Sequence, residues 1–238
     1  MEHKCSAIIL RVIDYGEADR LVTFFSEEGG RLKGVAKNAK KSFRRFGGGL
    51  DPGTIGTVRY IEKPNVELVR LEEINTELPA WRVAKSLQRI AAFDVSLEIA
   101  DKTLPLAQAA AERFGLLRRW IGFLADNQPS KGHCRAFYYK WLAASGLAPV
   151  FDKCVVCVKI KSSVWHLSPS HGGIVCSGCR HFHGDRIVSS NAVKYLQGFK
   201  AGKVSNGGVE DIDWVFELLL EHAIGSKLKS LEIAKKIV

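Results

Sequence analysis

No stretch of the 238-residue sequence stays apolar for long enough to cross a membrane. The opening Met1-Glu2-His3-Lys4-Cys5 leads into a short apolar run that ends at Leu10 before Arg11 interrupts it, too brief for a signal or anchor helix. Internal repeats and low-complexity tracts are missing as well. Gly47-Gly48-Gly49 is followed by Leu50-Asp51-Pro52 rather than by Gly-Lys-Ser/Thr, so it is no phosphate cradle, and no other nucleotide site is visible. No histidine has a glutamate two residues on, which removes the zinc deaminase signature. The cysteine spacing is of the metal type rather than the disulfide type, and a cytoplasmic location is expected. What is left is a chain of ordinary globular composition, with 46% hydrophobic and 25% charged residues, long enough for one large domain or two smaller ones.

Positive charge is in excess. The formal net charge of +10 favours a polyanionic partner such as nucleic acid over a neutral small molecule. Residues 1–80 hold thirteen Lys and Arg against twelve Asp and Glu, whereas residues 81–238 hold twenty-two against thirteen. The first segment is nearly neutral, yet between Arg31 and Arg45 it places seven basic residues and no acid.

Two Cys-x-x-Cys pairs, Cys154-Val-Val-Cys157 and Cys176-Ser-Gly-Cys179, stand eighteen residues apart. Two thiolates on a tight turn grip one metal ion, and a second pair completes the tetrahedral shell that structural zinc prefers. Four thiolates leave no open position for an activated water, so the predicted ribbon is a clasp rather than a reaction centre. Disulfides or free thiols are the alternatives, and His166, His171, His181 and His183 crowd the same segment as substitute ligands. Cys5 and Cys134 read as small core residues.

Taken in order, Ala7 to Ile13, Arg20 to Phe25 and Arg31 to Ala36 read as strands, followed by a hairpin of Thr54 to Ile61 and Val66 to Leu71 around Pro64-Asn65. Asp14, Glu17 and Asp19 read as a polar turn around Gly16. Five short strands in about eighty residues predict a small closed barrel, with the OB-fold as first candidate. From Trp81 the pattern turns helical, with Pro105 in the first turn of a second helix and Ser130 capping a third, from Lys131 to Ala144, whose Phe137, Tyr138 and Trp141 face the core. The ribbon strands fall at Val164 to Leu167 and Gly173 to Val175, and later helices at Asn191 to Phe199, Asp211 to Ile224, with Glu210 or Asp211 at its positive end, and Lys227 to Ile237. The fold class is therefore α+β: an OB-fold barrel over residues 1–79, then a helical domain over 80–238 with a zinc-binding insertion at 150–184.

The segment from Lys37 to Arg45 repels itself and stays flexible unless a polyanion neutralises it. Arg31, Lys33, Lys37, Lys40, Lys41, Arg44 and Arg45 are the candidate phosphate contacts, with Phe43 and Phe46 as flat faces for unpaired bases. A solvated, mobile loop is the other reading.

Three stretches carry a resemblance over nearly the whole chain. They are Tyr15-Gly16-Glu17-Ala18-Asp19-Arg20-Leu21-Val22 with Glu28-Gly29-Gly30-Arg31-Leu32; Gly34-Val35-Ala36-Lys37 to Arg45; and Gly146-Leu147-Ala148-Pro149 with Cys154 to Cys157, then Leu167-Ser168-Pro169-Ser170-His171-Gly172-Gly173 before Cys176 to Cys179. In this order and spacing the chain resembles the bacterial recombination-mediator family RecO. The resemblance implies an OB-fold, a helical domain with a zinc insertion, and binding of single- and double-stranded DNA. It also implies annealing of complementary strands and help in loading the RecA recombinase onto DNA coated with single-strand binding protein (SSB), in the nucleoid-associated cytoplasm. RecR and the acidic C-terminal tail of SSB are the implied partners, with RecA engaged indirectly. The family's DNA contacts carry over to Lys37 to Arg45. Arg113, Arg118 and Arg119 with Trp120 are candidates for a groove that takes the SSB tail, or are simply solvent-facing helix charge. Where the family usually has an aromatic after a proline, this chain has Pro52-Gly53.

The leading expectation is a mediator without covalent catalysis or ATP. One competitor is a zinc-dependent nuclease or deaminase, which needs an open metal position and a nearby general acid. The other is an architectural zinc-containing adaptor that binds partner proteins and touches DNA incidentally.

Overall fold

Strands β1 (Glu2–Tyr15), β2 (Asp19–Ser26), β3 (Gly30–Ala36), β4 (Ile55–Ile61) and β5 (Val69–Leu78) close into a barrel in the order β1-β2-β3-β5-β4. Every pairing is antiparallel except β3 with β5, so the expected OB-type barrel is present. Alternation along the strands fills the interior: Ile9 from β1, Phe24 from β2, Ala36 from β3, Val58 from β4 and Leu71 from β5. Ala7 to Leu10 is buried on both faces, because Ile8 and Phe25 sit on the outer wall, where Phe25 meets Phe114 edge-on at 5.3 Å. The strand expected at Val66 to Leu71 begins later and runs to Leu78. Its polar continuation is held extended by pairing with β4, with Ile74 opposite Val58 and Thr76 opposite Gly56.

The computed structural model describes residues 1–64, 66–180, 186–200, 202 and 212–237. The chain divides into two units, Met1–Gln128 with Leu228–Val238, and Pro129–Lys227.

In the first unit, α2 (Leu87–Thr103) follows the barrel and a short α1 (Phe43–Phe46) interrupts it. The Ser86 hydroxyl accepts the Arg89 N–H at the start of α2. This helix buries Phe93, Val95, Leu97 and Ile99, while Asp94, Glu98, Asp101 and Lys102 line another side. At Gly53 the backbone has φ +85°, and a Cβ there would fall 1.7 Å from the Phe93 ring. The next helix, α3, spans Ala111–Asp126, so Pro105 does not open it. Residues 104–110 instead lie beside β3: Leu106 bridges Arg31, the Ala107 N–H donates to the Arg31 carbonyl at 2.9 Å, and Ala107 is left-handed at φ 51°. The last helix, α7 (Lys229–Ile237), returns to this unit against α2, and the Glu98 carboxylate caps it by accepting the N–H groups of Lys229 and Ser230.

In the second unit, α4 (Lys131–Ala144) begins in a capping box between Ser130 and His133. Its Phe137 and Trp141 are buried and Tyr138 is half-buried. Helices α5 (Ser190–Lys200) and α6 (Asp213–Ile224) pack with α4 through ring contacts of Phe199 with Tyr139 and Phe216, and through Arg135, which pairs with Asp213 at 2.7 Å. The expected helix start at Glu210 or Asp211 lies outside the described residues. The ribbon strands β6 (Trp165–Ser168) and β7 (Gly173–Cys176) are joined by β8 (Arg186–Val188) in the order β7-β6-β8. Among the described residues no helix is long and apolar enough to cross a membrane.

Candidate nucleic-acid surface and metal centre

The basic segment leaves β3 and turns back over the barrel through α1. It is not loose: the Asn38 N–H donates to the Asp19 carboxylate at 2.8 Å and the Lys40 N–H to the Ala18 carbonyl at 3.0 Å. The acids read as a mere polar turn supply its counter-charge. Lys37 pairs with Asp19 at 2.7 Å, and Lys40 with Asp14 at 3.0 Å. The Lys37 ammonium, and after it the Asn38 N–H, hold the Asp19 carboxyl below its usual range. The expectation of a self-repelling flexible loop is thereby corrected, since it counted charge along the segment and left out the neighbouring hairpin.

The candidate contacts separate into two groups. Lys33, Lys37, Lys40, Lys41 and Arg44 are exposed, and Phe43 is 86% exposed. Arg31 points inward instead, pairing with the Asp101 carboxylate at 3.2 Å and donating to the Asp101 carbonyl, with side-chain exposures of 19% and 22% for the two residues. Arg45 is turned to the segment's own frame, donating to the Lys37 carbonyl at 2.7 Å and the Ser42 hydroxyl at 3.0 Å while lying over the Phe46 ring. Phe46, expected as a base-stacking face, is a correction: it is 3% exposed and belongs to the barrel core with Leu50 and Ile74. Phe43, three residues earlier at the start of the same short helix, stays in solvent, so the turn seats only its last ring in the core. Sequence reasoning passed over Tyr15, which stands 56% exposed at the tip of the β1–β2 hairpin. Its signal was an aromatic two residues from exposed Ile13 on a strand that alternates.

The helix α3 cations are also dispersed. Arg118 donates to the Ser6 hydroxyl at 2.9 Å and pairs with Glu77 at 2.7 Å, Arg113 is half-buried, and Trp120 is buried, which corrects its place in an open groove. Arg119 is exposed.

The metal candidates converge. The sulfur atoms of Cys154, Cys157, Cys176 and Cys179 all lie within 4.8 Å of one another, with Cys157 and Cys176 3.6 Å apart, and no disulfide joins any two of them. Four sulfurs about 2.3 Å from a central zinc would stand roughly 3.8 Å apart, so the cluster fits a tetrahedral ion with small adjustment. The first knuckle is shaped by Cys154 N–H to the Lys159 carbonyl at 2.8 Å and Val158 N–H to the Cys154 carbonyl at 2.9 Å, with Val158 left-handed at φ 64°. Burial opposes ionisation of Cys154, but backbone N–H groups of Cys157, Cys176 and Val156 outweigh it and draw the thiol down to about 6. Cys179 is pushed up to about 12, first by its contact with the Cys157 sulfur. Such a set cannot ionise fully without a cation at its centre. No described histidine belongs to the cluster: His166 is buried in β6 and His171 bonds the Ser168 hydroxyl at 2.9 Å, while His181 and His183 lie outside the described residues.

Comparison with known proteins agrees along the chain. A family model described as Recombination protein O N terminal matches residues 1–78, and one described as Recombination protein O C terminal matches residues 84–232. A DNA repair protein RecO from Anaeromyxobacter sp. (strain Fw109-5) is 30% identical, over 94% of this chain and 92% of its own length. Those of Desulfatibacillum aliphaticivorans and Myxococcus xanthus (strain DK1622) are 30% and 29% identical, over 98% and 97% of this chain and 96% of each relative.

Proposed function

The chain belongs to the RecO family of DNA repair proteins, and on that premise we propose that it is a DNA-binding recombination mediator that anneals complementary single strands and helps load RecA onto SSB-coated DNA. The observation that carries the reading is the set of exposed cations Lys33 on β3 and Lys37, Lys40, Lys41 and Arg44 on the connection after it, with exposed Phe43, in an OB-type barrel. We place the DNA-binding function in residues 1–79 and the helical domain with its insertion at 150–184 in residues 80–238. Phosphates of two strands meet the same cations, which lowers the repulsion between strands, and base pairing then supplies specificity and direction. No covalent step and no ATP enter this scheme. RecR and the acidic SSB tail are the proposed protein partners, RecA is reached indirectly, and the work is done in the cytoplasm.

Zinc, held by Cys154, Cys157, Cys176 and Cys179, would supply structure and no reaction chemistry, since four thiolates fill its coordination shell.

The test is to coat complementary oligonucleotides with SSB, add the protein without ATP and follow duplex formation. Annealing is expected with the wild type and strongly reduced when Lys33, Lys37, Lys40, Lys41 and Arg44 are replaced by glutamine. Equal annealing by both proteins would remove the DNA surface from this segment, and none by either, with active SSB, would favour the adaptor.

A further inference from the structure

The basic segment is fastened to the β1–β2 hairpin on both sides of an exposed aromatic. Lys40 donates its ammonium to the Gly16 carbonyl at 3.3 Å and pairs with Asp14, one residue either side of Tyr15, while Lys37 and Asn38 hold Asp19, the β2 partner of Tyr15. Strand alternation puts Tyr15 and Ile13 on one face, 56% and 45% exposed, whereas Val12 turns toward the barrel core. With Phe46 inside that core, Phe43 is the one aromatic ring that the segment itself exposes.

We propose that the tip of the β1–β2 hairpin is part of the single-strand surface, with Tyr15 as a platform on which an unpaired base stacks. The proposal rests on the reading of the basic segment as the DNA surface and deepens it. The local charges divide the labour. The hairpin acids occupy the cations around them, Asp14 pairing with Lys40 and Arg20 and Asp19 with Lys37, which makes the tip less favourable for phosphate than the remaining cations of the segment. A neutral base carries no such penalty and gains contact with the ring. Of the five cations, Lys33, Lys41 and Arg44 hold no ion pair among the described residues and draw phosphate most strongly, so the acids set which side of the strand faces the hairpin. A duplex keeps its bases stacked inside and has none to offer, so Tyr15 discriminates single strands from duplex.

The experiment compares Tyr15→Ala and Tyr15→Phe with wild type on single-stranded and duplex oligonucleotides across a salt series, with a thermal melt of each protein as folding control. Tyr15→Ala is expected to bind single strands about tenfold more weakly with unchanged salt slope and unchanged duplex binding, and Tyr15→Phe to bind as wild type. Irradiation of an iododeoxyuridine-substituted single strand with wild-type protein is expected to give an adduct on Tyr15. Unchanged single-strand binding by Tyr15→Ala, while neutralising Lys33, Lys41 and Arg44 still flattens the slope, would overturn the role of Tyr15 and leave the basic segment standing. No effect of either set would overturn both. A Tyr15→Ala protein that binds naked strands normally but fails to anneal SSB-coated ones would overturn stacking in favour of a protein contact, and an equal loss on duplex would overturn discrimination.

Discussion

Replacing Lys33, Lys41 and Arg44 together by glutamine perturbs the proposed DNA surface with least damage to the fold, because these exposed side chains hold no ion pair among the described residues. Each phosphate contact on a single strand contributes roughly 0.7 to the slope of log affinity against log salt, so three lost contacts flatten it by about 2. Over a tenfold rise in salt the wild type then loses about 100-fold more affinity than the variant. Lys37 and Lys40 are less suitable, since removing Lys37 takes the ion pair from Asp19 and removing Lys40 leaves Asp14 with Arg20 alone. Arg31→Gln is the matched control within the same basic stretch. Its guanidinium is largely covered and committed to Asp101, so its loss is expected to cost about 2 kcal/mol of stability and leave the slope alone. Fluorescence anisotropy of a labelled oligothymidine over a salt series, with urea unfolding of each variant, reads both quantities. An unchanged slope in the triple variant, or a flattened one in Arg31→Gln, would refute the division into outward and inward cations.

Phe46→Ala, which empties a site in the barrel core, is expected to cost about 3–5 kcal/mol in urea unfolding without altering the salt slope. A base-stacking Phe46 would do the reverse. Removing metal with a chelator should lower the melting temperature of residues 129–227 while the barrel keeps its own transition; a verified metal-free sample that melts unchanged rules out the clasp. Although burial opposes it, bonds from Lys102, from the Ser230 hydroxyl and from the N–H groups of Ser230 and Lys229 bring Glu98 down to about 2, from an ordinary value of 4.5. A depressed carboxyl gives stability that is full above its unfolded value and lost as pH falls from about 4.5 toward 2. Glu98→Gln should therefore be less stable than wild type by about 2 kcal/mol at neutral pH and converge with it near pH 2, by urea unfolding at each pH. A constant gap across that range would show that the cap carries no ionisation energy.

The barrel was legible because its strands are short β-branched runs between turn residues, and the metal cluster because spacing alone brings two thiolates onto one turn. Features that depend on distant partners were not. The second half of β5, Glu72 to Leu78, is too polar to read as a strand and is extended only because β4 lies beside it. Pro105 carries a helix-start signal, yet the chain there follows β3 and delays the helix to Ala111. Phe43 and Phe46 are equivalent in sequence, and only the depth of the barrel beneath one side of α1 separates an exposed ring from a core ring. The acids at Asp14 and Asp19 were visible, but their service to Lys37 and Lys40 required the hairpin and the basic segment to be folded together.

The return of α7 to the first unit makes residues 129–227 an interruption within it. On the ribosome, translation delivers α2 and then the whole second unit before residues 228–238 emerge to cover it. Until then the Glu98 carboxylate has no helix end to cap, and the side of α2 that α7 covers stays open to chaperones and proteases. Nascent chains halted anywhere in the second unit carry a finished barrel beside an unfinished helix layer, a state that limited proteolysis of stalled ribosome complexes would register as cleavage near α2.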